Sequence, residues 1–134
     1  MIKYRKVFVV DDDKIYHFIL KNILNKNDIA IDSSFFENGQ DALEILKEEI
    51  SSNNFPDMIL LDINMPIMDG WQFLEEFRKL KSDHNLTIQV YLVTSSNDVV
   101  DLQRASSFEN EISDYFLKPI NEVEICKLFA TELE

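Results

Sequence analysis

The chain has 134 residues, 46% hydrophobic and 28% charged, with a formal net charge of -12; this describes one soluble globular domain, too short for two domains of ordinary size. The acidic excess, with no Lys/Arg cluster to set against it, argues against nucleic acid as a partner, because phosphate binding needs a basic face. The single cysteine, Cys126, excludes an internal disulfide and any multi-cysteine metal site.

The stretch Met1-Ile2-Lys3-Tyr4-Arg5-Lys6 is basic, but only Val7 to Val10 is apolar behind it, which makes neither a signal peptide nor a membrane span. The expected compartment is cytoplasmic, with no membrane partner. Val7-Phe8-Val9-Val10 reads as a first strand that ends in Asp11-Asp12-Asp13. Ile15, Phe18, Ile19, Ile23 and Leu24 then recur at helical spacing, and Asp13 is placed to cap that helix. After a polar break at Asn25 to Asp28, Ile29 to Phe36 reads as a second strand. Glu37-Asn38-Gly39 turns the chain into a helix with Ala42, Leu43, Ile45, Leu46 and Ile50 on its apolar face. Ser51 to Asn54 is expected to be a long, plastic loop.

Met58-Ile59-Leu60-Leu61 is a continuous apolar run that leads into Asp62 and breaks at Pro66 and Asp69-Gly70. Such a run predicts a strand buried on both faces, as in a parallel sheet covered by helices. Trp71, Phe73, Leu74, Phe77 and Leu80 mark the next helix, ended by Ser82 to Asn85. Ile88 to Val93 is a fourth strand closing on Thr94-Ser95-Ser96. Asp98 to Phe108 is a weaker helix with only Val99, Val100, Leu102 and Ala105 apolar, expected to be the least anchored and most mobile. Tyr115-Phe116-Leu117 is a short fifth strand before Lys118-Pro119, and Asn121 opens a last helix carrying Val123, Ile125, Leu128, Phe129 and Leu133.

Strict strand-helix alternation predicts an α/β fold: a doubly wound, five-stranded parallel sheet in order 2-1-3-4-5 with helices on both faces. In such sheets ligands bind at the carboxyl ends of the strands, near the switch between the first and third. Asp11, Asp12, Asp62, Thr94 and Lys118 would then share one rim. Three carboxylates brought together repel, and burial disfavours their charged forms. A divalent cation with all-oxygen ligands, Mg²⁺ in the first place, offsets them, and Lys118 adds a fixed positive charge. A metal, an ammonium and a hydroxyl around one carboxylate suit a phosphoryl group carried on that carboxylate.

From Val7 to Glu134 the sequence resembles the receiver domains of two-component response regulators, a flavodoxin-like family. The resemblance rests on Asp11-Asp12 after the first strand, on Asp62 with Asn64, Pro66 and Gly70 after the third, on Thr94 after the fourth, and on Tyr115 with Lys118-Pro119 at the fifth. It implies that Asp62 accepts a phosphoryl group from a histidine kinase or a histidine phosphotransfer protein. It also implies that Asp12, Asp62 and the main-chain carbonyl of Asn64 hold Mg²⁺, or Mn²⁺ in its place, with Asp11 acting mainly through water. Thr94 and Lys118 would contact phosphoryl oxygens, and Lys118-Pro119 looks like the family's cis peptide. Thr94 and Tyr115 resemble the pair that shifts on phosphorylation and alters the face of the fourth helix, fifth strand and last helix, where a downstream protein would bind.

The resemblance implies a switch that catalyses only its own phosphorylation and dephosphorylation. The chain as given reads as one stand-alone receiver, residues 1–134, without an output domain. Ser95 fits loosely the small residue that the family often has after the threonine; the departures are a long stretch from Ser107 to Ser113, and Asp114 where a glycine is expected. A receiver-like scaffold and an aspartate-nucleophile phosphatase are the alternatives; the latter uses a second acid where Asn64 stands. His17 and His84 read as surface or packing residues, Cys126 as a buried inert thiol, and Trp71 as packing.

Overall fold

Alternation of the central strands between two cores decides the architecture. Val7, Val9, Met58 and Leu60 pack into one cluster, while Phe8, Val10, Ile59 and Leu61 pack into the other, and all eight are buried. A strand whose successive side chains all leave water needs cover on both faces, and each buried Ile or Leu contributes about 1.5–3 kcal/mol relative to exposure.

The computed structural model describes residues 6–129, so the reading of Met1 to Arg5 and the placement of Leu133 lie outside the described residues. The elements are β1 (Lys6–Val10), α1 (Lys14–Lys26), β2 (Asp32–Phe36), α2 (Gly39–Ser51), β3 (Met58–Leu61), α3 (Gly70–His84), β4 (Gln89–Thr94), α4 (Val99–Ser107), β5 (Ile112–Leu117) and α5 (Glu122–Phe129). The sheet order is β2-β1-β3-β4-β5, all pairs parallel, as the alternation predicts. Buried residues of α2 and α3 join the Phe8 core, and those of α1 and α5 join the Val7 core. No helix among the described residues is long and apolar enough to cross a membrane.

Asp13 caps α1 by accepting from the backbone N–H groups of Ile15 and Tyr16. The face that α1 buries differs from the expected one. His17, Leu20 and Leu24 are buried, whereas Ile15, Phe18 and Ile19 are 72%, 65% and 48% exposed. Apolar residues on this helix outnumber the positions of one face, so periodicity alone does not say which stripe meets the sheet. Val123 of α5 and Val99 and Val100 of α4 also face outward. The Ser51 to Asn54 stretch is short and tied, with Asn54 N–H donating to Glu49 at 2.8 Å and Lys6 Nζ reaching the Asn54 carbonyl at 2.9 Å.

Strand β2 begins at Asp32 rather than Ile29; Ile29 and Ile31 pack against the Val7 core ahead of it. Strand β5 begins at Ile112, three residues before the expected start. Val90 pairs with Ile112 and Tyr91 with Asp114, so Ser113 is an extra residue in a bulge. The long stretch before the strand is absorbed there, and Asp114 sits in extended pairing that requires no glycine.

Gly70 is required for space rather than for its backbone angle. A Cβ at this position would lie 2.4 Å from the Asp62 carbonyl and 2.9 Å from Ile63 Cα, while the Gly70 N–H donates to the Ile63 carbonyl at 2.8 Å. The start of α3 therefore lies directly against the backbone that carries Asp62. Gly70→Ala is expected to destabilise the fold by about 1–3 kcal/mol, the cost of forcing extra atoms into a packed site, read as a lower urea midpoint with an unchanged slope.

Candidate functional site

Three of the five residues predicted for the rim are each placed by a ladder bond just beyond a strand. Asp11 N–H donates to the Phe36 carbonyl and Asp62 N–H to the Val10 carbonyl, both at 2.9 Å, and Lys118 N–H donates to the Thr94 carbonyl at 2.8 Å. Sheet pairing thus continues one residue past the assigned strands and sets the side chains side by side. The carboxylates of Asp11, Asp12 and Asp62 present oxygens that all lie within 4.8 Å of one another. Asp11 and Asp62 are buried and Asp12 is exposed, so the cluster opens to solvent on one side.

One ammonium sits among them. Lys118 Nζ lies 2.6 Å from Asp11 Oδ2 and 3.9 Å from Asp62 Oδ2, and 4.7 Å from the ring centre of Tyr16. The Lys118-Pro119 peptide bond is cis, as expected. Thr94 is fully buried, with its hydroxyl placed to favour the charged form of Asp62, and Ile63 N–H donates to Asp62 Oδ1 at 2.9 Å.

The charges are unbalanced. Burial, then repulsion from Asp11, pushes Asp62 up to about 6 from the ordinary 3.8, against the opposing pull of Lys118, Thr94 and the Ile63 amide. Burial also raises Asp11, partly offset by its bond to Lys118 and by the Asp13 amide. The donor set is all oxygen, clustered, partly open to water and electrostatically short of positive charge, which fits Mg²⁺. Asn64 lies two residues beyond Asp62 in the β3-α3 loop and is exposed.

Tyr115 is half-buried and its hydroxyl donates to the Ser96 carbonyl at 2.5 Å. Burial and the nearby Asp101 carboxylate raise its phenol. His17 packs 5.0 Å from the Phe35 ring and His84 is exposed, as packing and surface residues. Cys126 is half-buried and unpaired. Trp71 is buried and meets α4 rather than the acidic cluster.

Three neighbours of the site were not singled out from sequence: Tyr16, Ser96 and Asp101. Tyr16 carried a usable signal, since a residue in the first turn of a helix that starts at the rim lies beside it. Ser96 and Asp101 had none, because their roles depend on contacts between separate elements.

A family model described as response regulator receiver domain matches residues 7–130. A hybrid signal transduction histidine kinase L of Dictyostelium discoideum is 34% identical over 120 residues, which is 90% of this chain and 7% of that protein. The chain spans less than half the length of the first curated relatives it matches. Among solved structures, a two-component response regulator from Cytophaga hutchinsonii superposes with a TM-score of 0.80 at 26% identity, covering 94% of both chains. The phosphorylated cyanobacterial phytochrome response regulator RcpA gives 0.75 at 26%, covering 93% of this chain and 88% of that one. With the fold, the strand order and the rim in agreement, the chain belongs to the response regulator receiver domain family of two-component signalling.

Proposed function

We propose that Asp62 accepts a phosphoryl group from a phosphohistidine on a histidine kinase or a histidine phosphotransfer protein, and that the described residues form one receiver unit. The observation that carries this reading is a buried carboxylate flanked by two further acids, one lysine and one hydroxyl at the carboxyl edge of the sheet. In the step, an Asp62 oxygen forms a bond to phosphorus as the phosphorus–nitrogen bond breaks, and the electron pair leaves with the imidazole. Such transfers spread charge over the equatorial oxygens, so the protein's part is positioning and positive charge. Lys118 would pair with one phosphoryl oxygen and Thr94 would donate to another. RcpA, solved phosphorylated, is a relative in keeping with this reading.

Asp12, Asp62 and the Asn64 carbonyl would hold Mg²⁺ or Mn²⁺, with Asp11 acting through water. Bound there, the cation supplies charge neutralisation for the acids and the phosphoryl oxygens. The exposed Ile15, Phe18 and Ile19 of α1 and Ile67, 78% exposed in the β3-α3 loop, stand near the rim and suit an apolar partner surface. The α4/β5/α5 face would carry the output to a downstream protein. Thr94, beside Asp62, and Tyr115, bonded to the Ser96 carbonyl, would be the two ends of the connection from site to face.

Incubation with a small phosphodonor and Mg²⁺, followed by intact mass, is expected to add one phosphoryl group that hydroxylamine removes and that Asp62→Ala lacks. Steady release of phosphate would instead favour a phosphatase, and no added mass a scaffold. Lys118→Ala is expected to slow the modification by at least about tenfold, as for loss of a charge-stabilising group.

A second test concerns pH. Asp62 binds its proton more tightly folded than unfolded, so its protonated form stabilises the fold below the ordinary carboxylate value, and that contribution is lost as pH rises through about 6. Metal-free Asp62→Asn is therefore expected to exceed the parent in urea midpoint near pH 8, with the gap closing below about pH 4. Saturating Mg²⁺ should narrow the gap near pH 8, because it binds the parent more tightly.

A further inference from the structure

Helix α4 buries none of its residues completely, and a chain of polar and stacked contacts holds it to α3. Trp71 Nε1 donates to Asp101 Oδ1 at 3.3 Å, and Ser96 Oγ donates to Asp101 Oδ2 at 2.5 Å. The Arg104 guanidinium lies 5.0 Å from the Trp71 ring centre, and Trp71 stacks on Phe108 at 5.9 Å. Arg78 covers the Phe108 ring at 4.3 Å, pairs with Glu111 at 3.0 Å and donates to the Ser107 carbonyl at 2.7 Å. The α4 helix is thus gripped at both ends from α3.

Ser96 is the node of this network. Its backbone N–H donates to Thr94 Oγ1 at 3.3 Å, its carbonyl accepts from Tyr115, and its hydroxyl reaches Asp101. The Thr94 hydroxyl in turn lies beside the Asp62 carboxylate and favours its charged form. One carboxylate, held by the indole of α3, therefore anchors the loop that presents the Thr94 hydroxyl to Asp62.

We infer that Asp101, itself held by Trp71, is a positioning residue for the phosphoryl site: through Ser96 it keeps Thr94 aimed at Asp62 before any phosphoryl group arrives. The inference rests on the phosphoacceptor reading and adds to it two residues outside the acidic cluster. Without Asp101, Ser96 Oγ loses its acceptor and the β4-α4 loop loses its tie to α3. Thr94 must then be ordered as the phosphoryl group binds, and that ordering subtracts from affinity. The metal ligands lie on other loops, so cation binding should not feel the change.

The test is calorimetric titration with beryllofluoride, a phosphoryl mimic, in saturating Mg²⁺, alongside a separate Mg²⁺ titration. Asp101→Ala is expected to weaken beryllofluoride binding about tenfold, the scale of one lost hydrogen bond to a charged group, and to leave Mg²⁺ affinity within about twofold of the parent. Trp71→Phe keeps the ring stack and removes the N–H donor, so it should weaken beryllofluoride binding in the same direction by less. Parent-like beryllofluoride affinity in Asp101→Ala, or loss of Mg²⁺ and beryllofluoride affinity in equal proportion, overturns the inference. A parent protein that binds Mg²⁺ but not beryllofluoride would instead count against the phosphoacceptor reading, and this inference would fall with it.

Discussion

Two carboxylates, Asp11 and Asp62, are buried at the edge of the sheet with one ammonium between them. Burial of acids is costly unless they are paired, and here a third acid, Asp12, adds to the repulsion. Lys118 makes its short contact with Asp11 and stands farther from Asp62, which leaves Asp62 the less compensated of the two. That imbalance leaves the cluster short of positive charge, which a bound cation would supply.

The fold holds this arrangement by continuing the sheet past its strands. Asp11, Asp62 and Lys118 each make one further ladder bond to a neighbouring strand end, so their backbones are set by β2, β1 and β4 in turn. Gly70 and Gly39 then allow two helices to begin against the same loops, Gly70 on the Asp62 backbone and Gly39 on the carbonyl of Met68. A charge cluster that would spread apart if mounted on loose segments is instead carried at the ends of paired strands, β1 and β3 with buried apolar residues among them.

Much of this was legible in the amino-acid sequence for a simple physical reason. A strand buried on both faces must be apolar at every position, so Val7–Val10 and Met58–Leu61 identify themselves, and the polar residue that ends each run marks the rim. The α1 face was less legible: Ile15, Phe18 and Ile19 are chemically equivalent to Leu20 and Leu24, and only the helix's rotation against the sheet separates core from surface. The start of β5 was hidden in the same way, because Ile112, Ser113 and Asp114 do not alternate cleanly and a bulge carries the extra residue. The site's supporting contacts are a third kind of case. Asp101 looks like an ordinary helix-surface acid until Trp71 and Ser96, distant in sequence, are seen to share it.

Helix α4 connects these observations. A helix anchored by apolar burial resists displacement in every direction at once, since any movement re-exposes surface. One anchored by a few directional bonds and two cation-ring contacts is stiff only along those bonds, and each can be exchanged for another partner without exposing a core. The short apolar inventory of Val99 to Ser107 is thus matched by contacts at its ends, from Trp71, Arg78 and Ser96, rather than by a buried stripe. One of these groups, Ser96, is also hydrogen-bonded to Thr94 and to Tyr115. In a domain whose other helices are fixed by burial, this one is tied through Ser96 to the same loop that carries Thr94.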